Sequence, residues 1–204
     1  MKRGIKNIIF DLGGILVGLN KQRSVQAFQQ IGAANVAKYV EEHLTADLFL
    51  EIETGKMDTA EFCNEVRSMA QCSAKDEEII WAWNQLLTGI PNKKKQRLIQ
   101  LKQRYRLFLL SNTNKMHWQK CTKDFFPYLE YTANSYFEKV YLSYEMHLSK
   151  PHSNIFTSVL ETSKLLPAET LFIDDSLENC QSAANLGIEV LHDATGNNWL
   201  KYTE

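Results

Sequence analysis

Five short apolar runs punctuate the chain: NIIF at 7–10, RLFLLS at 106–111, KVYLS at 139–143, TLFID at 170–174 and IEVLHD at 188–193. Each is too brief for a helix, and each is followed by a segment with helical spacing. Their hydrophobicity is continuous rather than alternating, which predicts strands buried on both faces and an α/β fold with a parallel sheet between helices. Residues 92–104 repeat Leu98, Leu101 and Tyr105 at helical spacing behind Pro91, a residue tolerated at a helix start. Residues 153–163 carry one stripe of Ile155, Phe156, Val159 and Leu160. In 177–186, Leu177, Cys180 and Ala184 are expected to face inward, and Gly187 to end the helix in the left-handed conformation.

The stretch between the first and second runs has a different character. Residues 21–88 hold no convincing strand but several helical patterns, among them KQRSVQAFQQIG, VAKYVEEHL, DTAEFCNEVRSMA and DEEIIWAWNQLL. Asp58 and Thr59 are good N-cap residues before Phe62 and Val66. An insertion here hangs over the carboxyl ends of the strands, where open α/β sheets bind ligands. The expected division is a core of 1–17 and 89–204 with an all-helical cap at 18–88. Trp81 and Trp83 are read as packing between cap and core.

Composition adds mainly exclusions. A net charge of -1 offers no basic field for nucleic acid, and the Lys93-Lys94-Lys95 run reads as a solvated helix face. No stretch approaches the roughly 20 apolar residues of a membrane span. Cys63, Cys72, Cys121 and Cys180 form no C-x-x-C pair, so free thiols in a reducing cytoplasm are the default expectation.

Candidate chemistry lies just past four of the predicted strands. Asp11 follows the first and Ser111-Asn112-Thr113 closes the second. Lys150-Pro151 comes shortly after the third, and Asp174-Asp175 ends the fourth. Singly, each reads as a cap or a loop. Together, at one edge of one parallel sheet, they read as a site, and the acidic doublet itself argues for a cation, because converging carboxylates do not all stay ionised unaided.

These segments resemble the haloacid dehalogenase-like (HAD) hydrolase superfamily. IIFDLGGIL is similar to its first motif, LFLLSNTN to its second, SKPHSNIF to its third and LFIDDSLENCQSAANLGI to its fourth, with Asn179, Ala183 and Gly187 at the family's spacing. The helical insertion matches the cap type entering after the first motif. The details FDLGGILVGLN and LSNTN look most like the sugar-1-phosphate phosphatase branch. The resemblance implies a Rossmann-like core and Mg²⁺-dependent hydrolysis of a small phosphorylated metabolite, with neither nucleic acid nor membrane as partner. By the same resemblance Asp11 is the nucleophile that takes the phosphoryl group. Asp11, Asp175 and the Gly13 carbonyl would hold Mg²⁺, with Asp174 as a further ligand or an acceptor behind it. Ser111, the Asn112 amide and Lys150 would bind phosphate oxygens.

Physical chemistry supports that division. A carboxylate attacking a phosphate dianion needs cations between the two, and Mg²⁺ favours one or two carboxylates plus phosphate oxygens. One position departs from the pattern. The second residue after the nucleophile is usually an acid that protonates the leaving oxygen, help worth about 10²–10⁴ in rate; here it is Gly13. His43 and His147 are candidate replacements, and Asn20 is a candidate for orienting a substrate hydroxyl. Gly13 keeps open a phosphometabolite-binding protein with weak or no turnover. A 2-haloacid dehalogenase, which needs no metal, is a further alternative that the acidic doublet disfavours.

Overall fold

A computed structural model describes residues 4–41 and 47–202. The strands are β1 (Asn7–Phe10), β2 (Gly18–Leu19), β3 (Leu87–Gly89), β4 (Arg106–Ser111), β5 (Lys139–Leu142), β6 (Thr170–Asp174) and β7 (Glu189–His192). Helices α1 (Lys21–Gln30), α2 (Ala34–Glu41), α3 (Asp47–Glu53), α4 (Thr59–Ala70) and α5 (Asp76–Asn84) lie between β2 and β3. They are followed by α6 (Asn92–Lys102), α7 (Lys115–Lys120), α8 (Ala133–Tyr136), α9 (Ser143–Met146), α10 (Ser153–Ser163), α11 (Leu177–Asn185) and α12 (Trp199–Tyr202).

The main sheet has the order β5-β4-β1-β6-β7, with every pairing parallel. Successive side chains of a strand point to opposite faces, and both faces of β1 are covered. Ile8 and Phe10 join Leu107, Leu109, Leu171 and Ile173 under α6, α8 and α12. Ile9 joins Phe108, Leu110 and Phe172 under α10 and α11. This explains why the strand signal was continuous hydrophobicity. The five predicted strands are all present, and the stripe of α10 is buried as expected.

Helices α1–α5 bury a second apolar cluster of their own, built on Phe28, Val36, Phe62, Val66, Ile79 and Trp83. Asp58 caps α4 in a reciprocal box with Glu61. At the two crossings between this helical layer and the sheet layer, β2 and β3 pair as an antiparallel ribbon. A Cβ on Gly18 would lie 2.3 Å from Thr88 Oγ1, so the crossing is close. The ribbon is a correction to the strand-free reading of 21–88. Strands of two and three residues leave no periodicity to detect, and they exist only because the crossings meet in space.

Three further expectations are corrected. Lys94 and Lys95 are buried, not a solvated face. Lys94 Nζ donates to the Ile15 carbonyl, and Lys95 Nζ to the carbonyls of Phe125 (3.0 Å) and Pro127 (3.1 Å), the long stems passing over apolar neighbours. In α11 the inward residues are Cys180 and Ala183, whereas Leu177 and Ala184 are exposed; the helix is rotated by about one position from the expected phase. Finally, Trp83 packs inward but Trp81 is 45% exposed.

Trp83 latches the helical layer to α7. Its indole stacks on His117 with centroids 5.0 Å apart and planes 11° from parallel. His117 Nδ1 faces the Asn114 side-chain amide at 3.2 Å, and Nε2 faces the Trp83 carbonyl at 3.3 Å. Asn114 Oδ1 already accepts from the His117 N–H. Its NH₂ therefore donates to Nδ1, and the imidazole is the neutral tautomer that donates from Nε2. Burial pushes the His117 pKa down to about 4 from 6.5. The unfolded chain takes up this proton below pH 6.5 while the folded protein does not, so the latch's contribution is full above 6.5 and falls as pH drops toward 4. The loss expected from this group is about 3 kcal/mol. Urea unfolding of the parent and of His117→Asn at pH 7 and pH 4.5 checks this: the parent should lose more stability between the two, and equal losses would show that His117 is not the cause.

Candidate active site

The site is built at the carboxyl ends of adjacent strands. The Asp11 N–H extends the ladder beyond β1 by donating to the Ile173 carbonyl at 2.9 Å, and the side chain emerges at the sheet edge only 7% exposed. The chain then turns tightly: the Gly14 N–H donates to Val17 O, and the N–H groups of Leu16 and Val17 to Leu12 O. Gly14 has φ +74°, and a Cβ there would lie 2.2 Å from Asp175 Oδ2. Behind it, a Cβ on Gly196 would come within 1.9 Å of the Gly14 carbonyl oxygen. Backbone and carboxylate approach each other so closely that only glycine fits at either place.

Lys150 joins the separate strand ends. Its ammonium donates to Asp11 Oδ1 at 2.7 Å, to Asp174 Oδ2 at 2.7 Å and to the Leu110 carbonyl at 3.2 Å, using all three protons. Asn112 holds the backbone of Lys150 from both sides: its Nδ2 donates to Lys150 O at 2.8 Å, and its Oδ1 accepts from Lys150 N–H at 2.9 Å. Asp174 is completely buried, its Oδ1 accepting from the Ser176 N–H (2.8 Å) and the Asn179 amide (3.0 Å). Ser111 is buried at the end of β4, its hydroxyl donating to Asn112 O at 3.3 Å.

One ammonium does not balance the carboxylates. Oxygens of Asp11, Asp174 and Asp175 all lie within 4.8 Å of one another. Burial pushes the Asp11 pKa up to about 7; Lys150 opposes the rise and Asp174 adds to it. Asp175 is likewise raised, first by burial and then by Asp174. Burial works against the charged form of Lys150, yet Asp11 and Asp174 together hold its pKa above the usual lysine value. Three carboxylates against one ammonium leave two negative charges uncompensated, and this set of hard oxygen donors fits a divalent cation of the Mg²⁺ type. A cleft of about 640 Å³ opens beside Gly14 and Asp175, walled by the β2–β3 ribbon and by Thr195 and Asn197.

The structure thus brings Asp11, Asp174, Asp175 and Lys150 together, with Ser111 and Asn112 on the neighbouring strand end and Gly13 on the turn. The Asn112 side-chain amide is engaged with the Lys150 backbone. Asn20 lies apart from the cluster as the N-cap of α1, its Oδ1 accepting from Arg23 N–H at 3.2 Å. His43 falls outside the described residues. His147 contacts the Thr54 carbonyl through Nδ1 at 3.0 Å. Gly14, Gly196 and Glu53 of α3 were not singled out from sequence. Glu53 senses the charge of Lys150, and burial pushes its carboxyl up to about 7; its one legible signal was an acid just before a glycine, Gly55.

A family model described as haloacid dehalogenase-like hydrolase matches residues 5–187. The chain belongs to the haloacid dehalogenase-like hydrolase family. It is 32% identical to a D-ribitol-5-phosphate phosphatase of Bacteroides thetaiotaomicron over 197 residues, 96% of this chain and 95% of that protein. Among solved structures it is similar to a HAD family enzyme of the same species, at 40% identity and TM-score 0.95 over 99% of this chain and 100% of that one. A variant of that enzyme with one aspartate replaced by alanine was solved with magnesium and inorganic phosphate (TM-score 0.93, 40% identity, 98% and 100% covered). A HAD-like family hydrolase of Porphyromonas gingivalis is 36% identical with TM-score 0.88, over 97% of this chain and 95% of that one. The L-2-haloacid dehalogenase PA0810, at 14% identity and TM-score 0.66, shares the fold.

Removing one partner of a buried charge cluster leaves the others uncompensated. Lys150→Met is therefore expected to destabilise the protein by about 3–5 kcal/mol, measured by urea unfolding without divalent cations. A loss below about 1 kcal/mol would show that the cluster is not held together by Lys150.

Proposed function

We propose that this protein is a Mg²⁺-dependent phosphatase acting on the phosphate monoester of a small sugar or polyol, with Asp11 as nucleophile. The observation carrying this reading is the convergence of Asp11, Asp174 and Asp175, with the Lys150 ammonium bridging the first two. The ribitol-phosphate specificity of the 32% identical relative supports a polyol or sugar phosphate as the substrate class.

In this reading Asp11, Asp175 and the Gly13 carbonyl would hold Mg²⁺, and Asp174 is the acceptor that fixes Lys150. The ion, when bound, supplies the positive charge lacking among the carboxylates and offsets the phosphate dianion. A carboxylate oxygen of Asp11 attacks phosphorus, the ester P–O bond breaks, and a water then cleaves the aspartyl-phosphate. Lys150, 2.7 Å from the nucleophile, lowers the repulsion between carboxylate and phosphate. Ser111 and the Asn112 backbone offer neutral donors at the same strand end. Residues 18–88 act as the cap that meets the leaving group, and Asn20 stands where that cap joins the core.

Gly13 leaves the position of the usual acid without a proton. Space does not dictate this: the nearest atom a Cβ there would meet is Leu19 Cδ1, at an ordinary 3.4 Å, and the backbone is not left-handed. A panel of alkyl phosphates assayed with Mg²⁺ or with EDTA tests the reading. Phosphate release should require the ion, fall to background in Asp11→Asn, and need more Mg²⁺ in Asp175→Asn. Metal-independent halide release would identify a dehalogenase instead, and phosphate binding without turnover of any ester a binding protein.

A further inference from the structure

We propose that Glu53, reaching down from α3, is the general acid and base of this site, in place of the side chain missing at Gly13. The inference rests on the phosphatase reading above. The carboxyl-terminal end of α3 is fastened to the loop that follows β5 by three contacts in succession. Ser143 Oγ lies 2.5 Å from the Glu53 carbonyl, and His147 Nδ1 lies 3.0 Å from the Thr54 carbonyl. Gly55 passes so close to α9 that a Cβ would lie 2.1 Å from Tyr144 O. Ser143 also accepts from Thr113 N–H at 2.9 Å and lies 3.1 Å from Thr113 O. One hydroxyl therefore ties Glu53 to the Ser111-Asn112-Thr113 segment, whose Asn112 holds Lys150.

Lys150, buried at the centre of the catalytic cluster, is the charge that acts on the Glu53 carboxyl. Asp58 of the α4 N-cap, Lys115 of α7 and Tyr144 of α9 line the cleft beside Gly55, and His147 caps α9. An acid whose pKa sits near neutrality holds its proton for a leaving group yet can take one back from water. Among the described residues the clamp uses the backbone carbonyl of Glu53 and leaves its carboxyl to other work.

The two steps balance. As Asp11 forms its bond to phosphorus, the ester P–O bond breaks and the leaving oxygen takes the Glu53 proton. The Glu53 carboxylate then removes a proton from water, whose oxygen attacks phosphorus. The bond to Asp11 breaks, inorganic phosphate leaves, and Glu53 is protonated again.

The test compares the parent with Glu53→Gln on two phosphomonoesters, ribitol 5-phosphate and p-nitrophenyl phosphate, whose leaving group needs no proton. On the alkyl ester kcat/KM should fall about 10²–10⁴-fold, and on the aryl ester far less. The parent's alkyl kcat/KM should decline as pH rises through about 7, a limb the variant should lack. Binding of inorganic phosphate with Mg²⁺ should survive in the variant, which reports an intact site. Equal losses on both esters, no loss on either, or lost phosphate binding would each overturn the assignment. A parent that hydrolyses neither ester, or an Asp11→Asn variant as active as the parent, would instead sink the phosphatase reading beneath it.

Discussion

The ammonium of Lys150 between the carboxylates of Asp11 and Asp174 is the interaction on which the remaining geometry depends. Its partners lie 139 and 24 residues away in sequence, so it forms only when β1, β4, β6 and the segment after β5 end at one level. A buried charge cluster of this kind stabilises little by itself, because desolvation offsets its attraction. The apolar sheet must therefore carry the cost, and it does so through strands whose side chains are buried on both faces. Asn112, Ser176 and Asn179 then satisfy the remaining polar groups and leave the carboxylates little freedom to drift.

The cluster is held but not neutral. Burial and mutual repulsion push Asp11 and Asp175 upward despite Lys150. That residual negative charge favours a cation at the site. Around it the chain approaches itself too closely for side chains, with Gly14 against Asp175 and Gly196 against Gly14. Asp193 keeps the last of these loops in place by accepting from Trp199 N–H and the Thr195 hydroxyl, both at 2.8 Å.

Among the described residues, three kinds of seam join the helical layer to the sheet layer. The β2–β3 ribbon joins them covalently and by backbone pairing. The Trp83–His117 stack is aromatic and neutral. The α3 clamp is polar, with backbone carbonyls of the helical layer received by Ser143 and His147. The ribbon walls the cleft beside Asp175, and the α3 clamp carries Glu53, the acid proposed for the site.

Much of this was legible in the chain. Strand positions followed from continuous apolar runs, because a sheet covered on both faces has no polar side to interrupt them. The residues of the cluster followed from their place at four strand ends, since one edge of a parallel sheet gathers whatever lies there. What periodicity alone could not fix was the phase of α11 or the burial of Lys94 and Lys95, whose carbonyl partners come from Ile15, Phe125 and Pro127, far away in sequence. The two-residue β2 strand and the close glycine contacts exist only where separate segments cross. Glu53 was invisible for the same reason. Sequence shows an acid on a helix of the insertion, and only the docking of that helix onto the loop after β5 ties the residue, through Ser143, to the segment that holds Lys150.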